Sequence, residues 1–393
     1  MEKATRQFTK EYNSRLVLKT IYQAEDISRA EISRITGLTR TTVSDIVAGL
    51  IDEGLVEEVG IGASSGGKPP VQVSLVENAR QIVCVDLSNP EFRGAVVNLR
   101  GSLQCSEVLP QQHQHGQANL AVVFELIEHL VSQATAPILG IAVGTPGLVN
   151  SQQGVVLRAV NLGWTDLPLK KDLQNRFQIP VYVSNDSHVA AMAEFTYGHW
   201  NKAPNLVVIK VGEGIGSGIV LDSKLYYGDG YSAGEIGHLS VVDEGGELCS
   251  CGKYGCLETV SSSQAVIREA QLLSAVKNGH ALARDPQELT LERVSDWIAS
   301  GDQDMAALVT RAGKYMGAVI ASLIGILSIR KIIIAGDFGL FGDHYLDAVR
   351  CEAEKRVLPG MMANTEIAPS TLGANIVLLG VSALVMAEEL GLP

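Results

Sequence analysis

Three cysteines and one histidine carry the most specific chemistry in this chain. Cys249, Cys251 and Cys256 stand in the order Cys-Ser-Cys-Gly-Lys-Tyr-Gly-Cys, and His238 lies eleven residues before the first of them. Three thiolates and one imidazole are the donor set of a closed tetrahedral zinc site. Gly252 and Gly255 allow the backbone to wrap tightly around a metal. The plainer alternative is three buried cysteines beside a core histidine. A disulfide is disfavoured, because a Cys249–Cys251 bridge would be badly strained and the start, MEKATRQFTKEYNSR, has no apolar signal core. A cytoplasmic location, where thiolates stay reduced, is therefore expected. Four protein ligands leave no open coordination position, so the Zn2+ would be structural.

Two carboxylates frame this cluster. Glu235 is three residues before His238, and Glu258 is two after Cys256. A metal clip would pull both toward one place, where they could accept hydrogen bonds from hydroxyls, and sugars are arrays of hydroxyls. Taken singly, each glutamate reads equally well as a solvated loop charge.

A chain of 393 residues predicts two or three domains. With 46% hydrophobic and 19% charged residues it can bury a large core. No uninterrupted apolar run reaches transmembrane length, so no membrane partner is expected. The net charge of −12 argues against a nonspecific nucleic-acid coat. Residues 1–80 are close to neutral, with ten Lys/Arg against eleven Asp/Glu, and the rest of the chain is strongly acidic.

Residues 13–75 read as a winged helix-turn-helix. Asn13 to Tyr22 is apolar-periodic. Ser28-Arg29-Ala30-Glu31 is a capping box opening a second helix. Gly37-Leu38-Thr39 is the turn, with Thr39 capping a third helix whose inward face is Val43, Ile46, Val47 and Leu50. Its other face begins Arg40, Thr41, Thr42, Ser44, types that suit base edges and phosphates in a major groove. Arg29 joins them as a DNA-binding candidate. Leu55–Val59 and Val71–Leu75 are the expected wing strands, and Lys68 between them could reach a phosphate or a minor groove. The near-neutral charge implies that DNA affinity requires dimerisation.

From Gln81 strands and helices alternate. Ile82–Leu87 and Gly94–Leu99 are a predicted hairpin, 118–134 an amphipathic helix, and Ile138–Val143 a buried strand ending in Gly144-Thr-Pro-Gly147. Val181–Ser184 delivers Asn185-Asp186 at its carboxyl end, where polar residues face the crevice of an open α/β sheet. The pattern restarts at Leu206–Val211, followed by Gly212-Glu-Gly-Ile-Gly-Ser-Gly218. Ile219–Leu221 and Leu225–Tyr227 are a predicted hairpin. A long apolar helix near 304–327, a strand at Lys331–Ala335, and Ile376–Leu379 followed by a helix to Leu390 complete the chain. Two α/β lobes with a cleft between them fit this order. The expected domains are 1–78, the winged segment; 79–200, a first lobe to which 376–393 returns; and 201–375, a second lobe with the metal site.

These residues resemble the ROK family, which contains repressors and sugar kinases. The markers are Gly144-Thr-Pro-Gly-Leu-Val149, Asn161-Leu-Gly-Trp164, Asn185-Asp186, Gly212–Gly218, Ala233-Gly-Glu-Ile-Gly-His238 and Cys249-x-Cys251-Gly-x-x-Gly-Cys256-Leu-Glu258. The match covers nearly the whole chain. The cysteine motif behind GEIGH is highly specific, whereas the glycine loop alone is weak. The winged segment is like that of the family's repressor branch. The resemblance implies an actin/hexokinase-like fold of two ribonuclease H-like lobes. It also implies that Asn185, Asp186, Glu235, His238 and Glu258 hydrogen-bond a sugar, with Gly147 at the sugar-proximal turn. His238 would then serve both metal and sugar.

The chain departs from the family's kinases at the nucleotide. Their first phosphate loop looks like Asp-x-Gly-Gly-Thr, and here it reads Asp86-Leu87-Ser88-Asn89-Pro90. Both glycines are gone, and Pro90 lacks the hydroxyl and the N–H donor. In the second loop Glu213 stands where the kinases usually carry threonine. A carboxylate facing polyphosphate is repulsive by about 1 kcal/mol or more. Gly336-Asp337 matches the adenosine-side glycine pair only in part. Asp186, the kinase base, is accordingly expected to be a sugar ligand alone. The implied function is a non-enzymatic, sugar-responsive repressor acting on operator DNA as a homodimer or homotetramer. An active sugar kinase with a DNA-binding arm, and a repressor controlled by a protein partner, are the alternatives.

Overall fold

The computed structural model describes residues 6–61, 70–88, 90–111, 116–200, 203–276 and 289–392. The chain divides into two compact units. The first comprises residues 1–144, 168–183 and 381–393, and the second 145–167 and 184–380.

The first unit begins with α1 (Arg6–Ala24), β1 (Asp26–Ser28), α2 (Arg29–Thr36), α3 (Arg40–Asp52), β2 (Val56–Ile61) and β3 (Val71–Leu75). The local signals act as the sequence predicts. The Ser28 hydroxyl accepts from the Glu31 N–H while the Glu31 carboxylate accepts from the Ser28 N–H, closing the capping box. Gly37 ends α2 with φ of 71°, a left-handed conformation natural to glycine. Thr39 caps α3 by accepting from the Thr42 N–H. Val17, Ile21, Ile32, Val43, Val47 and Leu50 are buried. The three short strands pair in the order β1-β3-β2, with β1–β3 and β2–β3 antiparallel. α1 starts well before the predicted Asn13, in turns that are mostly polar and whose two aromatic residues, Phe8 and Tyr12, are exposed.

A five-stranded sheet follows in this unit. Its strands are β4 (Gln81–Asp86), β5 (Glu91–Asn98), β6 (Leu103–Pro110), β7 (Ile138–Thr145) and β11 (Val181–Asn185), in the order β11-β7-β4-β5-β6. β4 is buried along its whole length, as its unbroken apolar run demands. α4 (Gly116–Gln133) lays Leu126 and Leu130 on β5, where a Cβ at Gly94 would stand only 2.5 Å from the Leu130 side chain. β6 was not anticipated, although its residues alternate half-buried and exposed along all eight positions. The winged segment is tied to this sheet's surroundings. Arg100 donates to the Tyr22 carbonyl at 2.7 Å and lies over the Tyr22 ring, and Arg80 donates to the Glu53 carbonyl at 3.1 Å.

The second unit opens with a small antiparallel sheet, β8 (Leu148–Asn150), β9 (Val155–Ala159) and β10 (Trp164–Leu167), ordered β10-β9-β8. α5 (Leu169–Phe177) intervenes in sequence and belongs to the first unit. The second unit resumes with α6 (Asp186–Tyr197) and a sheet of β12 (Leu206–Val211), β13 (Ile215–Leu221) and β14 (Lys224–Leu225). α7 (Glu258–Ser261), α8 (Ser263–Val276), α9 (Leu291–Ala299) and α10 (Gln303–Leu327) come next, then β15 (Lys331–Gly336), α11 (Gly342–Arg356) and β16 (Glu366–Pro369). The sheet order is β14-β13-β12-β15-β16, with β12–β13 antiparallel and β12–β15–β16 parallel. Counted along the chain within each sheet, both large sheets share the strand order 3-2-1-4-5, so one architecture occurs twice.

α12 (Ile376–Leu390) closes the chain as one continuous helix. Ile376–Leu379 is therefore its first turn. A short apolar run leading into a longer one does not separate strand from helix by period. Gln303–Leu327 and Gly373–Leu390 are long and apolar enough to cross a membrane, but in each 56% of the apolar window is buried inside the protein. α10 packs on α11 through Gly313 and Gly317, where a Cβ would meet the Tyr345 and Val349 carbonyl oxygens at 3.0 and 2.5 Å.

Candidate functional site

The polar residues singled out in the sequence assemble in the second unit around the start of α6. Asn185 precedes this helix and is its N-cap. Its side-chain oxygen accepts from the Ser187 and His188 N–H groups at 2.9 and 3.1 Å, and its amide nitrogen donates to the Gly147 carbonyl at 2.9 Å. One side chain thus fixes both α6 and the Gly147 turn. Gly147 has φ of 87°, and a Cβ there would lie 2.2 Å from the Arg158 carbonyl oxygen, so no larger residue fits.

Asp186 is the first residue of α6, where a carboxylate is favoured by the helix dipole. One oxygen accepts from the Ser187 N–H at 2.8 Å, and the other from the Lys210 ammonium at 3.0 Å. Both side chains of this ion pair are largely buried. Breaking such a pair by removing one partner costs about 3–5 kcal/mol. Lys210 was missed in the sequence, although one lysine inside the apolar strand Leu206–Val211 was a usable signal.

His188, also not anticipated, is buried one turn into α6. Its Nε2–H donates to the Ala233 carbonyl at 2.8 Å, and its ring meets Tyr227 edge to face at 5.4 Å. Burial holds the imidazole below its ordinary pKa, so it is neutral and clamps the start of the Gly234–His238 segment. Two glycines let that segment pass under β13. A Cβ on Gly234 or Gly237 would stand 1.9 or 2.1 Å from the Ser217 or Ile215 carbonyl oxygen.

Glu235 is half-buried, and its pKa is pushed up to about 7, first by burial and then by the charges of Asp186 and Glu258. Glu258, at the start of α7, accepts from the Ile215 N–H at 3.1 Å. A Cβ on Gly214 would come within 2.6 Å of the same carboxylate oxygen.

His238, Cys249, Cys251 and Cys256 converge, with one ligand atom from each and all four within 4.8 Å of one another. His238 Nδ1 is 3.5 Å from the Cys249 sulfur, and the Cys251 and Cys256 sulfurs are 3.6 Å apart. Metal–sulfur bonds of about 2.3 Å in tetrahedral array place sulfurs about 3.8 Å apart, so this spacing fits a single ion. Burial, then the neighbouring thiols, push the Cys256 thiol up to about 12. A bound cation would favour the thiolate forms that such crowding otherwise disfavours. His238 Nε2 faces away from the sulfurs and lies 3.8 Å from the Glu235 carboxylate. The imidazole therefore stands between the metal-binding cluster and Glu235.

The two turns that correspond to the kinases' phosphate loops serve the chain's own contacts. In the first unit, the Asp86 carboxylate accepts from the Ser88 N–H at 2.9 Å and from its hydroxyl at 2.5 Å, closing the turn on itself. Asn89 lies outside the described residues. In the second, Gly212–Gly214 is the tight turn joining β12 to β13. Of the glycines after it, Gly216 and Gly218 serve packing. A Cβ at either would lie 2.4 Å from Ser187, in α6.

In the winged segment Arg40, Thr41 and Ser44 are exposed on α3. Thr42 is half-buried, and its hydroxyl pairs with that of Thr39 at 2.8 Å. Arg29 is bonded to Glu58 at 2.9 Å. Lys68 lies outside the described residues.

A helix-turn-helix segment joined to a two-lobed α/β unit with a His/Cys metal-binding cluster defines the class. A ROK family model matches residues 82–388, and a MarR family model matches residues 13–61. The chain belongs to the ROK family. It is 32% identical over 390 residues to the xylose repressor of Caldicellulosiruptor bescii, covering 98% of each chain. It is also 32% identical to a glucokinase of Halalkalibacterium halodurans, over 79% of this chain and 96% of that one. Among solved structures it resembles a ROK family transcriptional regulator homologous to the E. coli MLC protein. That match has a TM-score of 0.85 and 28% identity, over 98% of this chain and 97% of the other.

Proposed function

We propose that this protein is a sugar-responsive transcriptional repressor that binds operator DNA through residues 1–78 and a sugar through the second unit. The carrying observation is the likeness to a xylose repressor over 98% of both chains, where the glucokinase match spans 79% of this one. Gly147, Asn185, Asp186, Glu235, His238 and Glu258 are the proposed sugar ligands. Asn185 acts at least equally by holding the Gly147 turn. The cluster His238, Cys249, Cys251 and Cys256 would hold a structural Zn2+, whose role is to lock the loop carrying Glu235 and Glu258. We assign residues 79–200 with 376–393 to the first lobe, and 201–375 to the second.

Arg40, Thr41 and Ser44 are the exposed donors proposed to read DNA, helped by Thr42, Arg29 and Lys68. Two copies of α3 would have to sit about 34–36 Å apart to read successive major grooves, so a homodimer or a homotetramer is the expected reader in the cytoplasm. Sugar binding would alter that spacing. A coupling of about 1–3 kcal/mol between the sites changes DNA affinity about 5–150-fold.

Catalysis is not part of this reading. A kinase would need Asp186 as base and a nucleotide held by both turns. Here Lys210 occupies Asp186, and Ser88 occupies Asp86. The test is fluorescence anisotropy on DNA selected from a random pool by the protein itself, with D-xylose, D-glucose and other sugars added in turn. A change of at least about fivefold with one sugar supports the reading. No change with any sugar, and capture of a regulatory protein instead, would contradict it.

A further inference from the structure

We propose that Lys210 is a positioning residue of the ligand site and its built-in cation, so that the site takes uncharged sugars and requires no metal ion beside Asp186. This inference rests on the sugar-binding reading above and narrows its ligand class.

Lys210 is the one charged residue of β12, whose other five residues are buried and apolar. Burying an ammonium is costly unless it is paired, and its partner is Asp186 at 3.0 Å. The same ammonium lies near the Gly212 turn. A Cβ at Gly212 would be 3.9 Å from the Lys210 Nζ and 3.8 Å from an Asp337 carboxylate oxygen. That Asp337 oxygen also accepts from the Ser263 hydroxyl at 2.7 Å. The ammonium thus pairs with Asp186 next to the Gly212 turn, which the Asp337 carboxylate also borders, where phosphotransfer would bring magnesium and phosphate. Like charges brought together disfavour ionisation unless a cation offsets them. The lysine supplies that cation within the chain.

The consequence for a ligand is electrostatic. Asp186, Asp337 and Glu258, with the partly protonated Glu235, outnumber the Lys210 ammonium, so an added phosphate meets a net negative surround. Hydroxyl donors find carboxylate acceptors already held in place. Asp186 is kept pointing by two fixed donors, Ser187 N–H and Lys210, which spares the ligand the cost of ordering it.

The experiment uses full-length, zinc-loaded wild type, Lys210→Met, Lys210→Gln, Lys210→Arg and Asp186→Asn. Each is titrated with Mn2+ by electron paramagnetic resonance, and separately with D-xylose, D-glucose and D-glucose 6-phosphate by calorimetry. Loss of the ammonium in Lys210→Met or Lys210→Gln should create a Mn2+ site at least about tenfold tighter than any beyond zinc in wild type. Lys210→Arg, which keeps the charge, should not. Wild type should prefer a neutral sugar to glucose 6-phosphate by about tenfold or more, and the neutral lysine variants should weaken that sugar by about 10–100-fold. Unchanged Mn2+ affinity in both neutral variants overturns the inference, as does tighter binding of glucose 6-phosphate than of glucose. Were wild type to bind no sugar at all, the functional reading would fail while the Mn2+ comparison still decided the role of Lys210.

Discussion

The DNA-reading segment and the ligand region are built by opposite means. In residues 26–52 the contacts that start and stop the helices are local: Ser28 with Glu31, Gly37 with Ser33, and Thr39 with Thr42. In the ligand region the partners are distant in sequence: Asn185 with Gly147, Asp186 with Lys210, His188 with Ala233, and Glu258 with Ile215. Local contacts set the helices of the reader, which Arg80 and Arg100 then tie to the rest of its unit. Distant contacts make a sensor that exists only when the whole unit is folded, which suits a device reporting ligand occupancy. The comparison predicts that damage to either region leaves the other's binding intact.

The largest effect should come from the metal cluster. Cys256→Ser removes one of four donors from a buried thiol group. The protein should purify with much less than one zinc per chain by elemental analysis, and the 234–258 loop should become a preferred protease target. Sugar binding should fall about 100-fold or more, because ligand-orienting metal shells carry factors of 10–100 each. DNA binding without sugar should stay close to wild type. Equal loss of both would break the comparison.

Asp186→Asn comes next. It weakens the bond to Lys210 and replaces a charged acceptor by a neutral one, a loss of about 1.5–3 kcal/mol. Calorimetry should show sugar affinity reduced roughly 10–100-fold, with unliganded DNA affinity unchanged. Arg40→Ala is the mirror experiment. It should cost about 1–3 kcal/mol of DNA affinity, read by anisotropy, with sugar binding untouched.

Smaller effects sharpen the local side. Thr39→Ala deletes the cap of α3 and should cost about 0.5–2 kcal/mol of stability, seen by denaturant titration of the first unit's signal. The capping box adds a pH dependence. The Ser28 hydroxyl, then its N–H, hold the Glu31 carboxyl below its ordinary value of 4.5. A depressed carboxylate pKa gives stability that is present above 4.5 and lost as pH falls through the lower folded value. Glu31→Gln should flatten that acid-side slope by a few tenths of a kcal/mol, given the residue's exposure.

The same contrast explains what could be read from the sequence. The caps, the Gly37 turn and the inward face of α3 were legible because their cause lies within four residues. The Cys₃His cluster was legible because its spacing is rare. β6 was passed over because its alternating half-exposed pattern is weak beside the buried runs around it. Lys210 and His188 were passed over because their partners lie 24 and 45 residues away, and only the sheet and α6 bring them together. The glycine run Gly212–Gly218 matched the kinases' second phosphate loop in outline only, and Gly216 and Gly218 are required by the close approach of α6.

The most direct test titrates a single preparation with sugar and with nucleotide. Calorimetry with a panel headed by D-xylose and D-glucose should give saturable heat with at least one sugar. Millimolar MgATP should give none, with or without that sugar, and no ADP should form. Sugar-dependent ADP release that disappears in Asp186→Asn would contradict the account.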